Sequence, residues 1–121
     1  MNLLAIALGG AIGSVARYLL STFVLRMSGT LFPLGTFVVN VIGCLVFGAI
    51  AGATTQRVEL TPATRLFLLT GILGGFTTFS SYAFESFVLV RDGQILWAAM
   101  NVAGQVVAGL AGMWAGYVIT F

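Results

Sequence analysis

The sequence contains no histidine and a single cysteine, Cys44, so neither a Cys/His metal site nor a disulfide framework can be built from it. Charge is almost as scarce. Only 7% of the residues are charged, against roughly 25% in an ordinary soluble domain. The net charge of +2 is thinly spread and forms no basic patch, which argues against a nucleic-acid partner. There is no ATP-binding motif, no low-complexity tail, and no internal repeat of the length that marks solenoids. No Lys or Arg precedes Arg17, so the apolar start at Leu3 lacks the positive region of a secretory signal and is expected to be retained.

What the chain does have is apolar residues, 60% of 121, with a mean hydropathy of +1.11. A helix needs about 20 such residues to cross the hydrocarbon core of a bilayer. Apart from Arg17 and Glu85, the charges fall at Arg26, at Arg57, Glu59 and Arg65, and at Arg91 and Asp92. These positions divide the chain into four expected spans, near 3–25, 34–53, 64–90 and 95–119, in one all-α, multi-pass membrane domain covering 1–121. Thr61 followed by Pro62 resembles an N-cap with proline in the first turn, so a helix should begin there. Four short helices are too few to enclose a transport pathway, which points to a homo-oligomer in the lipid bilayer.

Glycine is abundant, at 16 residues, and Gly9/Gly13, Gly48/Gly52 and Gly112/Gly116 form small-xxx-small faces through which helices pack closely in lipid. Polar residues are few and patterned. Thr36, Asn40 and Cys44 share one stripe of the second span, and Asn101 and Gln105 lie one turn apart in the fourth. The third span is apolar to Leu73, then reads GGFTTFSSY from Gly74 to Tyr82 before turning helical through Glu85. Glycines followed by hydroxyl residues make poor helix, so a break is expected near 74–81.

A broken span suggests an ion site, because unwound backbone in a membrane survives only in protein or beside water, with bare carbonyls facing cations and helix N-termini facing anions. Arg17 and Glu85 each cost at least ~2.5 to 3.5 kcal/mol to place within a span, and need a partner, a wet cavity or protonation. Arg17 can also snorkel or cap carbonyls at a helix interface. Asn40 must find hydrogen bonds from protein, water or a permeant species. Phe76, Phe79 and Tyr82 would share one side of a continuous helix, where their ring edges could pack or face an anion.

The strings GSVARY from Gly13 to Tyr18, GTFVVNVIG from Gly35 to Gly43 and GILGGFTTFSSY from Gly71 to Tyr82 resemble, in order, those of the Fluc (CrcB-like) family of bacterial fluoride channels. The resemblance covers essentially the whole chain. It implies an antiparallel, dual-topology homodimer in the bacterial inner membrane, with two fluoride pores and a structural sodium ion on the twofold axis. By resemblance, Asn40 is the pore asparagine, Phe79 the first pore phenylalanine, Glu85 the acidic residue beyond, and Arg17 the arginine near the end of helix one. Gly74 and Thr77 match the positions whose backbone carbonyls hold sodium. The sequence departs from the family pattern in three places. Tyr82 replaces the second pore phenylalanine, Asn101 and Gln105 stand in a polar track where hydroxyl residues are common, and Gly109 stands where serine is frequent.

Fluoride crossing a membrane needs donors to replace its water. Amides of Asn40 or Gln105, hydroxyls of Thr36, Ser80 and Ser81, and aromatic edges can supply them without a fixed charge that would trap the ion. With no ATP-binding motif, soluble domain or evident proton relay, the sequence points to passive flow and not to pumping, and the family implies release of cytoplasmic fluoride. Two rivals compete with this reading. A small multidrug exporter has a similar length but depends on a glutamate in its first helix, which this chain lacks. A non-transporting assembly subunit would explain the glycines, but not Asn40, the broken span and the buried charges together.

Overall fold

The computed structural model describes residues 2–30 and 32–121; Leu31, in the expected loop from Arg26 to Pro33, lies outside the described residues. Among the described residues all regular structure is helical. Helix α1 runs Asn2–Ser28 and α2 runs Leu34–Gln56. The third span is composite: α3 (Pro62–Arg65), a π-helical stretch Leu66–Leu73, α4 (Gly74–Phe76) and α5 (Phe79–Arg91). Helix α6, Ile95–Thr120, completes the chain. Four segments are long and apolar enough to cross a membrane, of 27, 23, 30 and 26 residues.

Local chemistry explains the boundaries. Thr61 accepts the Thr64 N–H at 3.2 Å, with Pro62 in the first turn, so α3 starts where the sequence places a cap. Helix α1 continues through Arg26 to Ser28 and is followed by Gly29, at φ 60°. At the end of α5, Gly93 N–H bonds the Val90 carbonyl and Gln94 N–H bonds the Leu89 carbonyl, with Gly93 at φ 78°. That double closure is a Schellman motif, which needs a left-handed residue and so suits glycine.

The helices pair by glycine. A Cβ added at Gly48 or Gly116 would land on the carbonyl of Met113 or Leu45, which brings α2 and α6 into backbone contact. Likewise, Gly13 has no room for a Cβ against the Ile72 carbonyl, nor Gly71 against the Gly9 backbone, so α1 lies on the π-helical stretch. In both pairs residue numbers rise together along the contact, so first and third spans are parallel, as are second and fourth. Nothing in the side-chain pattern of Leu66–Leu73 announces wide turns, and the sequence reading treated this stretch as ordinary helix.

Helical geometry stops at Phe76 and resumes at Phe79. Between them Thr77 and Thr78 are extended, at φ −84°, ψ 157° and φ −149°, ψ 113°. The interruption is narrower than the expected 74–81. Gly74 and Gly75 stay helical, and the hydroxyl run starts the next helix instead of preventing it, because the Thr78 side chain accepts the Ser81 N–H at 3.1 Å.

Candidate functional site

Two extended residues inside a span leave backbone groups that a continuous helix would have paired. Asn40, on α2, takes up those of Thr78 on both sides. Its Oδ1 accepts the Thr78 N–H at 2.9 Å and its Nδ2 donates to the Thr78 carbonyl at 3.0 Å. Since a backbone N–H can only donate and a carbonyl only accept, this pair fixes which way the amide points. The second Nδ2 hydrogen is donated to Gln105 Oε1 at 2.7 Å.

From Gln105 a chain of donors continues through the protein. Gln105 Nε2 donates to Asn101 Oδ1 at 2.9 Å, Asn101 Nδ2 to Ser86 Oγ at 2.8 Å, and Ser86 Oγ to the Tyr82 carbonyl at 2.9 Å. Asn101 is fully buried and Gln105 nearly so. Polar groups removed from water in this way must be hydrogen-bonded, and these satisfy one another.

A cavity of about 410 Å³ opens beside the interruption. Asn40, Gly74, Thr77, Phe79, Tyr82 and Gln105 all line it, drawing together residues from α2, the broken span and α6. Among the described residues no charged side chain reaches its wall. The rings of Phe79 and Tyr82 sit 5.6 Å apart at 59°, and Phe79 is 78% exposed. The Tyr82 hydroxyl donates to the Val102 carbonyl at 2.8 Å, which is where the extra oxygen is accommodated.

The expected site residues outside the cavity wall fall into separate groups. Thr36 donates its hydroxyl to Glu85 Oε1 at 2.7 Å, while Glu85 Oε2 is buried with no partner. Ser80 and Ser81 lie in the first turn of α5, with Ser80 Oγ 3.3 Å from the Thr78 hydroxyl. Arg17 reaches the interrupted span instead of the cavity, its Nε donating to the Gly75 carbonyl at 3.1 Å. Of the ways open to an intramembrane arginine, capping a carbonyl at a helix interface is the one the structure adopts.

The sodium position that the family resemblance implies can be tested on the backbone. The Thr78 N–H that would close a helical turn on Gly74 goes to Asn40, and the Ser81 N–H that would close on Thr77 goes to the Thr78 hydroxyl. Both carbonyls are therefore left without their helical donor. Carbonyl oxygens freed at a helix interruption suit a hard alkali cation, so the residues present fit the ion.

Sequence reasoning missed Ser86, Gly75 and Thr78 as members of this network. Ser86 carried a usable signal: it and Asn101 lie at nearly equal distances on either side of the Gly93 turn, and so at equal height in the α5–α6 hairpin. Gly75 and Thr78 take part through backbone atoms, which residue type does not reveal.

Comparison with known proteins agrees along the same stretch. The family described as CrcB-like protein, Camphor Resistance (CrcB), matches residues 4–117. The fluoride-specific ion channel FluC of Maridesulfovibrio salexigens is 52% identical over 108 residues, covering 89% of this chain and 86% of that protein. The protein of the same name from Methylobacillus flagellatus is 48% identical over 117 residues, covering 96% and 91%. That of Nitratidesulfovibrio vulgaris is 48% identical over 115 residues, covering 95% and 93%. A match of this extent, over a fold whose interrupted third span and Asn40 meet at one cavity, has one conclusion: the chain belongs to the CrcB-like family.

Proposed function

We propose that the chain is a fluoride channel of the bacterial inner membrane that lets cytoplasmic fluoride leave passively, and that it works as an antiparallel homodimer with two pores. The observation that carries the reading is the cavity wall, where a few amide, hydroxyl and aromatic groups are set among apolar side chains with, among the described residues, no fixed charge. The choice of ion follows the relatives, which are named fluoride-specific channels.

A small, strongly hydrated anion loses water on entry and needs several moderate donors in its place, since one strong site would hold it. In the state described, the Asn40 N–H groups are bonded to Thr78 and Gln105, the Thr36 hydroxyl to Glu85, and the Tyr82 hydroxyl to Val102. The remaining donors near the aromatic pair are Ser81 and the N–H groups that open α5. The positive edges of Phe79 and Tyr82 add to these. Arg17 stays off the path, where its charge supports backbone without trapping the ion.

A second copy is called for by the exposure of Phe79 and by the two freed carbonyls, Gly74 and Thr77, which offer half of a small cation's oxygen shell. A sodium ion shared between copies would complete that shell and supply fixed positive charge where two interruptions meet. Antiparallel insertion is favoured by the loops. Arg26 and Arg91 share one face and Arg57 and Arg65 the other, so positive charge gives little direction.

Fluoride efflux from proteoliposomes, run beside chloride, tests the channel. Rapid fluoride release with chloride retained is expected, and liposomes that hold fluoride would end the proposal. To test orientation, two lysines are added to the loop after α2 in one variant and to the loop after α1 in another. Each alone should lose activity and the coexpressed pair regain it; full activity from one biased variant would mean a parallel assembly.

A further inference from the structure

The chain of donors from Asn40 to Tyr82 has a fixed polarity, and both of its ends are backbone. At one end the Thr78 N–H and carbonyl hold the Asn40 amide in one orientation. At the other, the Tyr82 carbonyl can only accept, so Ser86 donates to it, Asn101 must then offer N–H to Ser86, and Gln105 must offer N–H to Asn101. The result places an oxygen, Gln105 Oε1, against the one Asn40 hydrogen that Thr78 does not hold. Both residues line the cavity, and that oxygen occupies the Asn40 hydrogen which an anion there would need.

Building on the proposed channel function, we infer that Gln105, Asn101 and Ser86 form a reversible relay that turns over when an anion enters the cavity, so that Asn40 and Gln105 both donate to it. The count of hydrogen bonds is unchanged. At rest the bonds run Asn40 to Gln105, Gln105 to Asn101, Asn101 to Ser86, and Ser86 to Tyr82. Turned over, Asn40 and Gln105 each donate to the anion, Asn101 Nδ2 donates to Gln105 Oε1, and the Ser86 hydroxyl rotates to Asn101 Oδ1. Asn40 itself stays clamped by Thr78 and releases only its outer hydrogen. The oxygen and nitrogen of an amide are nearly equal in size, so Asn101 and Gln105 can exchange them within a packed wall. Two neutral bonds are replaced by two to an ion, which are roughly twice as strong. At rest the cavity shows the anion an oxygen, and when the ion arrives it shows two donors.

The test is solid-state NMR of the wild-type protein in bilayers, with ¹⁵N in the Asn and Gln side chains, titrated with potassium fluoride and separately with potassium chloride. The Gln105 and Asn101 amide signals should move together along one fluoride titration, and ¹⁹F should dephase Gln105 Nε2. Asn101 does not line the cavity and meets the ion only through Gln105, so turning is read as its Nδ2 leaving the Ser86 hydroxyl for an amide oxygen. In Gln105→Met, Asn40 should still answer to fluoride while Asn101 falls silent, and efflux should drop roughly tenfold or more, the worth of one bond to a charged group. Fluoride shifts at Asn40 and Gln105 with Asn101 unmoved in the wild type would overturn the relay and leave the channel standing. Silence at every residue, with fluoride held in liposomes, would overturn the channel and the relay with it.

Discussion

The α2–α6 pair and the third span solve the same problem in opposite ways. Both must satisfy polar groups within an apolar phase, and both are sealed to a neighbour through glycines. Helices α2 and α6 keep their backbones intact and carry polarity on side chains, namely Asn40, Asn101 and Gln105. The third span carries its polarity on the backbone, where Thr77 and Thr78 leave the helix. The site lies where the two kinds of polarity meet, with side chains of the intact pair supplying partners to the broken one. A rigid pair beside a broken span can thus hold irregular backbone in one conformation, which neither could do alone.

Removing the bridge between the two regions should have the largest effect. In Asn40→Asp a carboxylate faces the Thr78 carbonyl and Gln105 Oε1, where Asn40 now donates to both. Two lost part-buried bonds at about 1 to 3 kcal/mol each predict a fall in fluoride efflux of about a hundredfold. Fluoride efflux, with size-exclusion profiles to show that the assembly is unchanged, measures it; wild-type rates would remove Asn40 from the pathway.

The next effect falls on the intact pair alone. Gly116→Ala pushes a methyl into the Leu45 carbonyl and should destabilise the protein by about 1 to 3 kcal/mol. Gly10→Ala, where an added Cβ meets nothing within 4 Å, should change stability by less than about 0.5 kcal/mol. Unfolding in detergent compares them, and equal losses would mean that the glycine contacts do not set the packing.

The smallest effect should come from the support of the broken span by α1. Arg17→Met keeps most of the stem but leaves the Gly75 carbonyl without its donor. A loss of about 1 kcal/mol is expected, less than for a buried charged pair because Arg17 is only half-buried. Efflux should fall severalfold without vanishing, since Asn40 still grips Thr78. Complete loss of flux would place Arg17 on the ion's route.

How much of this the sequence disclosed depended on whether a feature was local. Apolar runs and the charges between them locate the spans, and Thr61–Pro62 marks a cap through its own hydroxyl and ring. Glycine and hydroxyl content draws attention to the region around Thr77, yet overstates its width, since Thr78 caps the following helix. The wide turns at Leu66–Leu73 were invisible, as no residue type in that stretch marks them. Partners were harder still. Arg17 and Glu85 plainly needed something, but whether that was a carbonyl, a hydroxyl or water is a tertiary fact.

The wide turns of Leu66–Leu73 have a consequence for how the chain can vary in length. A π-helical stretch holds more residues than an α-helix of equal rise, so it contains one that the helix could lose and remain a helix. Its removal would rotate everything beyond by about 100° and draw it back by about 1.5 Å. Thr78 would then part from Asn40, and Gly75 from Arg17, though every side chain in both pairs was still present. The stretch acts as a phase setting between the half of the span gripped by α1 and the half presented to α2 and α6. A substitution at an exposed position such as Thr70 can be absorbed by lipid, whereas the loss of a single codon cannot.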